Sequence, residues 1–151
     1  MAETHHIAVC IPTFRRKQLL ERLLRGLARQ DTGGQFELSV LVVENESAAP
    51  AEGVAMRLAT ELKLNITYGV ESERRVATVR NHAGPLAKGN YIGTIDDYKF
   101  APPMWLLKQY RAIQNFDVDR ALGPVFSLYC SKSSSMACQV QPLRIASVSD
   151  Q

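Results

Sequence analysis

With 151 residues, a formal net charge of +3, 46% hydrophobic and 22% charged residues, the chain has the size and balance of one globular domain. This composition excludes a disordered or collagen-like chain before residue 127, and the excess of base is too small for nucleic-acid binding, although it suits phosphate-bearing ligands. A chain of this length buries about 68–70% of its unfolded surface, so its core needs no disulfide staples.

The opening Met-Ala-Glu-Thr-His-His has neither a basic nor an apolar leader segment, so no signal peptide is expected. Ile7–Ile11 is a short, continuously apolar run, the pattern of a strand buried on both faces, ended by Pro12-Thr13-Phe14. From about Arg16 to Arg29, Leu19, Leu20, Leu23, Leu24 and Leu27 recur at helical spacing opposite Lys17, Glu21, Arg22 and Arg25. Gly33-Gly34 marks a turn. Leu38–Val43 is a second buried strand, running into Glu44-Asn45-Glu46-Ser47, and an amphipathic helix follows over Glu52–Leu64. Asn65–Tyr68 is read as a third strand. A helix over Val76–Lys88 carries Pro85 in its interior and stops at Gly89. Tyr91–Ile95 is a fourth strand ending in Asp96-Asp97, Pro102-Pro103 opens a helix to about Asn115, and Ala121–Phe126 is a fifth strand. Residues 127–151 are Ser-rich and without periodicity, and read as a poorly ordered tail.

Strands alternating with helices predict an α/β fold, a mostly parallel sheet with helices on both faces. No run of about 18 apolar residues crosses a membrane. Cys10, Cys130 and Cys138 are odd in number and lack metal-ligand spacing, so a reducing, cytoplasmic setting is the expectation. In such a sheet, ligands bind just beyond the carboxyl ends of the strands. Three of these ends carry unusual residues: Pro12-Thr13-Phe14-Arg15-Arg16, Glu44-Asn45-Glu46-Ser47 and Asp96-Asp97-Tyr98-Lys99. No Gly-x-Gly-x-x-Gly follows the first strand and no Gly-Lys-Ser/Thr follows any, which disfavours a dinucleotide-dependent dehydrogenase and excludes a P-loop enzyme.

Ile11-Pro12-Thr13-Phe14-Arg15-Arg16 with Leu19-Leu20 resembles the opening of family 2 glycosyltransferases of the GT-A fold. Val42-Val43-Glu44-Asn45 is similar to that family's second-strand acidic motif. Val79-Arg80-Asn81 and Gly89-Asn90-Tyr91-Ile92 resemble its Ala-Arg-Asn helix and its Gly-Asp-Tyr-Ile strand entry. Asp96-Asp97, ahead of Trp105-Leu106, resembles its Asp-x-Asp region. The likeness runs from about Ile7 to Val125. It implies a Rossmann-like nucleotide-sugar-binding domain over residues 1–126, binding a nucleotide-diphosphate sugar, with a UDP-sugar as the expected donor and an unknown acceptor.

The resemblance implies a role for each motif residue, beside which a purely structural role stays open. Pro12 and Thr13 frame the site. Phe14 stacks on the nucleotide base or packs the loop. Glu44 accepts a hydrogen bond from the base or ribose. Arg80 pairs with a phosphate or forms a structural ion pair. Asp96 and Asp97 hold the ribose, or Asp97 holds a Mn²⁺ or Mg²⁺ ion carrying the diphosphate, or caps a turn. Tyr98 stands where the family has its main metal-binding carboxylate, so that cation lacks its hard ligand. Lys99 either supplies a fixed positive charge in its place or is merely solvated. No residue after Val125 stands out as a catalytic base, so a truncated chain is expected. A non-catalytic nucleotide-binding module or an inactive remnant is the alternative. The last strand is then expected to present an edge prone to self-association.

Overall fold

The computed structural model describes residues 4–46, 48, 50–71, 89–128 and 138–147. Its elements are β1 (His5–Thr13), α1 (Lys17–Ala28), β2 (Phe36–Glu44), α2 (Glu52–Leu62), β3 (Ile66–Val70), β4 (Tyr91–Thr94), α3 (Trp105–Phe116), β5 (Arg120–Leu128) and β6 (Cys138–Ser147). One six-stranded sheet has the order β3-β2-β1-β4-β6-β5. Strands β1 to β4 are mutually parallel, and β6 runs antiparallel between β4 and β5. The expected α/β architecture with a mostly parallel sheet is what forms.

The period-2 alternation of a strand sorts the residues of β1 and β2 onto two faces. Ile7, Val9 and Ile11 join Val40 and Val42 in the main core, whereas Cys10 packs with Leu41 and Val43 in a separate buried set. Helix α1 contributes Leu20, Leu23, Leu24 and Leu27 to the main core, all 0–1% exposed. Each such leucine is worth roughly 1.5–3 kcal/mol of burial. Helix α3 adds Trp105, Leu106, Leu107, Tyr110 and Ile113, and α2 adds Leu58. The helix expected over Val76–Lys88 lies outside the described residues.

Three local details explain where the elements begin and end. The Pro12-Thr13 pair extends β1 rather than breaking it. The carbonyl of Cys10 accepts from Ile95 N, and Pro12, two residues on, faces the same side beyond the last β1–β4 pair, Cys10↔Thr94. Its missing N–H therefore costs no ladder bond. Gly89 passes so close to β1 that a Cβ there would stand 2.9 Å from His6 O. Beside it, Asn90 N donates to His6 O and His6 N donates to Asn90 Oδ1, which fixes the entry to β4. Pro102-Pro103 precede α3 rather than opening it, and Gln30 Oε1 accepts from Leu106 N to cap the helix.

The unpatterned tail expected over residues 127–151 needs correction. Cys138–Ser147 form β6, paired with β4 from Tyr91↔Ser147 to Gly93↔Ile145 and with β5 along nine register pairs from Arg120↔Ala146 to Leu128↔Cys138. Backbone pairing on both sides compensates for a sequence whose side-chain pattern is weak. Strand β5 consequently reaches Leu128 and ends the sheet order.

Candidate functional site

The strand order reverses direction at β1: the chain moves from β1 to β2 and β3 on one side, then returns to β4 on the other. Open parallel sheets form a crevice at the carboxyl ends of the strands flanking such a point. Thr13 ends β1 there and is the register partner of Glu44, which ends β2. Across the other side, Thr13 Oγ1 donates to Asp97 Oδ2 at 2.9 Å in a buried contact. One threonine thus joins three strand ends.

Glu44 is fully buried. Its Oε2 accepts from Ala51 N at 3.0 Å and from the Tyr68 hydroxyl, while Oε1 has no hydrogen-bond partner among the described residues. A buried polar atom left without a partner costs about 1–3 kcal/mol, so its retention calls for an explanation. Burial, followed by the bond to Glu44, raises the Tyr68 phenol above its ordinary pKa, so Tyr68 remains a donor at neutral pH.

Phe14 lies just past β1 and is 40% exposed, with the Arg15 guanidinium 5.1 Å from its ring centre. Arg15 takes a left-handed backbone, φ 53°, turning the chain from β1 into α1. For a non-glycine residue this costs of order 1 kcal/mol, and its bidentate pairing with Glu46, at 2.7–3.0 Å, holds it there. An open cleft of about 670 Å³ lies between Arg15–Leu19 and the Glu46, Ala48 and Pro50 side. Glu44 and Asp97 are not in its walls, so the cleft itself does not locate a nucleotide.

Asp97 is 2% exposed, and besides Thr13 it takes Arg16 Nη1 at 3.2 Å on Oδ1. Asp96 Oδ2 receives the Tyr98 hydroxyl and Lys99 Nζ, both at 3.2 Å. Tyr98 is half-exposed between two cations: Arg16 lies 5.7 Å and Lys99 5.6 Å from its ring centre, and Arg22 donates to its carbonyl at 3.0 Å. Burial, then the neighbouring Asp96 carboxylate, raises the Tyr98 phenol, so it stays protonated. These residues do not fit a divalent cation. Both carboxylates are engaged by cations, and no group of three or more His, Cys, Asp or Glu residues suited to a metal occurs among the described residues.

Of the residues singled out in the sequence, Pro12, Thr13, Phe14, Glu44, Asp96 and Asp97 are thus brought to one rim, and Arg80 lies outside the described residues. Asp97, expected to hold the ribose or a metal, is bound by Thr13 and Arg16. That Arg16, Tyr68 and Ala51 are the partners of these acids is not evident in the sequence. Tyr68 had one usable signal: two residues before the register partner of Glu44, it shares that residue's face of the sheet.

Among the described residues no helix is long and apolar enough to cross a membrane. Comparison with known proteins places the chain in a family. The succinoglycan biosynthesis protein ExoM of Rhizobium meliloti is 27% identical over 127 residues, 84% of this chain and 41% of its own length. The crystal structure of S. aureus TarS 1-349 superposes with a TM-score of 0.68 at 19% identity, covering 93% of this chain and 46% of that one. The mannosyltransferase PcManGT from Pyrobaculum calidifontis, solved with GDP-Man and Mn²⁺, gives 0.56 at 25% identity over 66% of this chain and 29% of its own. The chain therefore spans less than half the length of these relatives. The family model described as glycosyl transferase family 2 matches residues 8–135, and the chain belongs to that family as a domain of the GT-A fold.

Proposed function

We propose that this domain binds a nucleotide-diphosphate sugar, with UDP as the nucleotide, at the rim of Phe14, Glu44 and Asp97, and presents the sugar for transfer to an acceptor. The observation that carries this reading is the fully buried Glu44 Oε1 at the end of β2, without a hydrogen-bond partner among the described residues and in register with Thr13, which binds Asp97. An acceptor oxygen already desolvated and fixed through Oε2 selects a ligand that presents an N–H or O–H, such as the uracil N3–H or a ribose hydroxyl. Phe14 offers its exposed ring to the base. TarS has been solved with UDP and with UDP-GlcNAc, which supports uridine as the nucleoside.

The rim supplies the donor side of such a reaction. Inverting transfer also needs a base that takes the acceptor proton, and that base is not assigned to any of the residues above. Calorimetric titration with UDP, GDP, dTDP and CDP tests the reading. UDP is expected to bind at micromolar concentration and CDP, whose base offers an acceptor at N3, markedly more weakly. If none of the four binds at millimolar concentration, the proposed rim is not the nucleotide site; UDP and CDP binding alike would place Oε1 on the ribose rather than on the base.

A further inference from the structure

We infer that nucleotide binding by this domain needs no divalent cation, because the turn after β4 meets positive charge from its own Lys99 and from Arg16 ahead of α1. The inference rests on the nucleotide reading above and concerns how the phosphates are met. A metal-dependent site at the end of a strand needs carboxylate oxygens facing solvent and free to gather around a dication. Here Asp97 faces inward to a protein cation, and the partly exposed Asp96 is held by another. Asp97 is buried under Thr13 and the Arg16 guanidinium, and Asp96 is bound by Lys99.

The arrangement is cooperative. Lys99 N donates to Asp96 O at 3.0 Å, closing a turn that places the Lys99 ammonium on the Asp96 side chain. Arg22, from α1, ties down the Tyr98 carbonyl at the middle of that turn. The Tyr98 ring is thereby held between Arg16 and Lys99. Among the described residues, Arg16 and Lys99 each pair with one of the two carboxylates and Arg22 adds a third cation on the Tyr98 carbonyl. A dication entering between Asp96 and Asp97 would stand within a few ångströms of a guanidinium and an ammonium, where like charges repel strongly. A diphosphate approaching the same turn meets the opposite field. Arg16 is half-exposed at its side chain, so it keeps N–H groups for a ligand while holding Asp97.

Two measurements on the protein test this together. In the first, Mn²⁺ is titrated in and followed by its paramagnetic resonance signal, with no nucleotide present. The signal is expected to stay that of free Mn²⁺, and Tyr98→Asp is expected to quench it by adding a solvent-facing carboxylate. Binding of Mn²⁺ by the unmodified protein that is lost in Asp97→Asn would overturn the inference. In the second, UDP and uridine are titrated by calorimetry in EDTA and in Mn²⁺. The UDP affinity is expected to agree within about twofold between the two buffers, and a gain of about tenfold or more in Mn²⁺ contradicts it. Lys99→Gln is expected to weaken UDP by about tenfold and leave uridine unchanged, with Lys99→Arg restoring most of the loss. Equal weakening of UDP and uridine would show that Lys99 acts on the fold and not on the phosphates. Failure of UDP to bind in any buffer defeats the nucleotide reading, while the manganese titration still decides whether the turn admits a metal.

Discussion

Replacing Glu44 by Gln separates the folding role of this residue from its ligand role. Oε2 takes two donors, Ala51 N at 3.0 Å and the Tyr68 hydroxyl, and Oε1 takes none among the described residues. A glutamine can place its carbonyl oxygen at the Oε2 position and keep both bonds. Its amide nitrogen then stands where Oε1 stood, again buried and without a partner. The desolvation cost of about 1–3 kcal/mol exists before and after the change, so the net effect on stability is about 1 kcal/mol or less. Binding behaves differently. A hydrogen bond from the base or ribose to a carboxylate is worth about 1.5–3 kcal/mol, and the glutamine sets an N–H donor against that donor. UDP affinity should therefore fall by roughly 10- to 150-fold. Glu44→Ala is the contrast: it strands the Ala51 N–H and the Tyr68 hydroxyl and opens a cavity, costing about 2–5 kcal/mol. Urea denaturation followed by the fluorescence of the single, buried Trp105 gives the stabilities, and calorimetry gives the affinities. A loss of more than about 2 kcal/mol in Glu44→Gln would mean that Oε1 is partnered in the free protein. An unchanged UDP affinity would mean that Oε1 does not face the ligand.

Phe14→Ala should leave stability within about 0.5 kcal/mol, since the ring is 40% exposed, yet weaken UDP by the roughly 1–3 kcal/mol of a base–aromatic stack, read by calorimetry. Thr13→Val removes the hydroxyl that binds the buried Asp97 and should cost about 1–3 kcal/mol in urea denaturation; a neutral result would show that Asp97 finds another donor. Tyr68→Phe tests the raised phenol through pH. A group whose pKa is higher in the folded state stabilises fully below its unfolded value, near 10, and loses that contribution as pH rises towards the folded value. From about pH 9 to 11, unmodified protein should lose stability faster than Tyr68→Phe, by at most about 1.4 kcal/mol per pH unit. Parallel stability curves would show that the phenol is not held by Glu44.

The sequence made the sheet legible where a strand is buried on both faces, because Ile7–Ile11 and Val40–Val43 are short, β-branched-rich apolar runs bounded by turn or polar residues. The leucine spacing of α1 was equally plain. Strand β6 was not, since Gln139, Gln141, Pro142 and Arg144 interrupt its apolar residues and its place is set by backbone pairing with β4 and β5. The rim followed the same division. That Thr13, Glu44 and Asp97 lie at strand ends is a local property, visible in the residues themselves. That Thr13 binds Asp97, 84 positions away, or that Tyr68 caps Glu44, depends on strand order and register across helical crossovers. No local pattern encodes those. Arg16 illustrates the gap: the sequence places it at a strand end and at the start of a helix, and only the pairing of β1 with β4 brings it to Asp97.

The central claim is that a uridine nucleotide sits at the carboxyl ends of β1, β2 and β4. Titrating UDP into the ¹⁵N-labelled protein and following the backbone amide shifts tests it most directly. Saturating shifts are expected at Phe14, Asn45, Ala51 and Asp97, with His5, Phe36 and Asn90 at the opposite strand ends unmoved. Shifts centred on His5, Phe36 and Asn90, or no shifts at any UDP concentration, would contradict it.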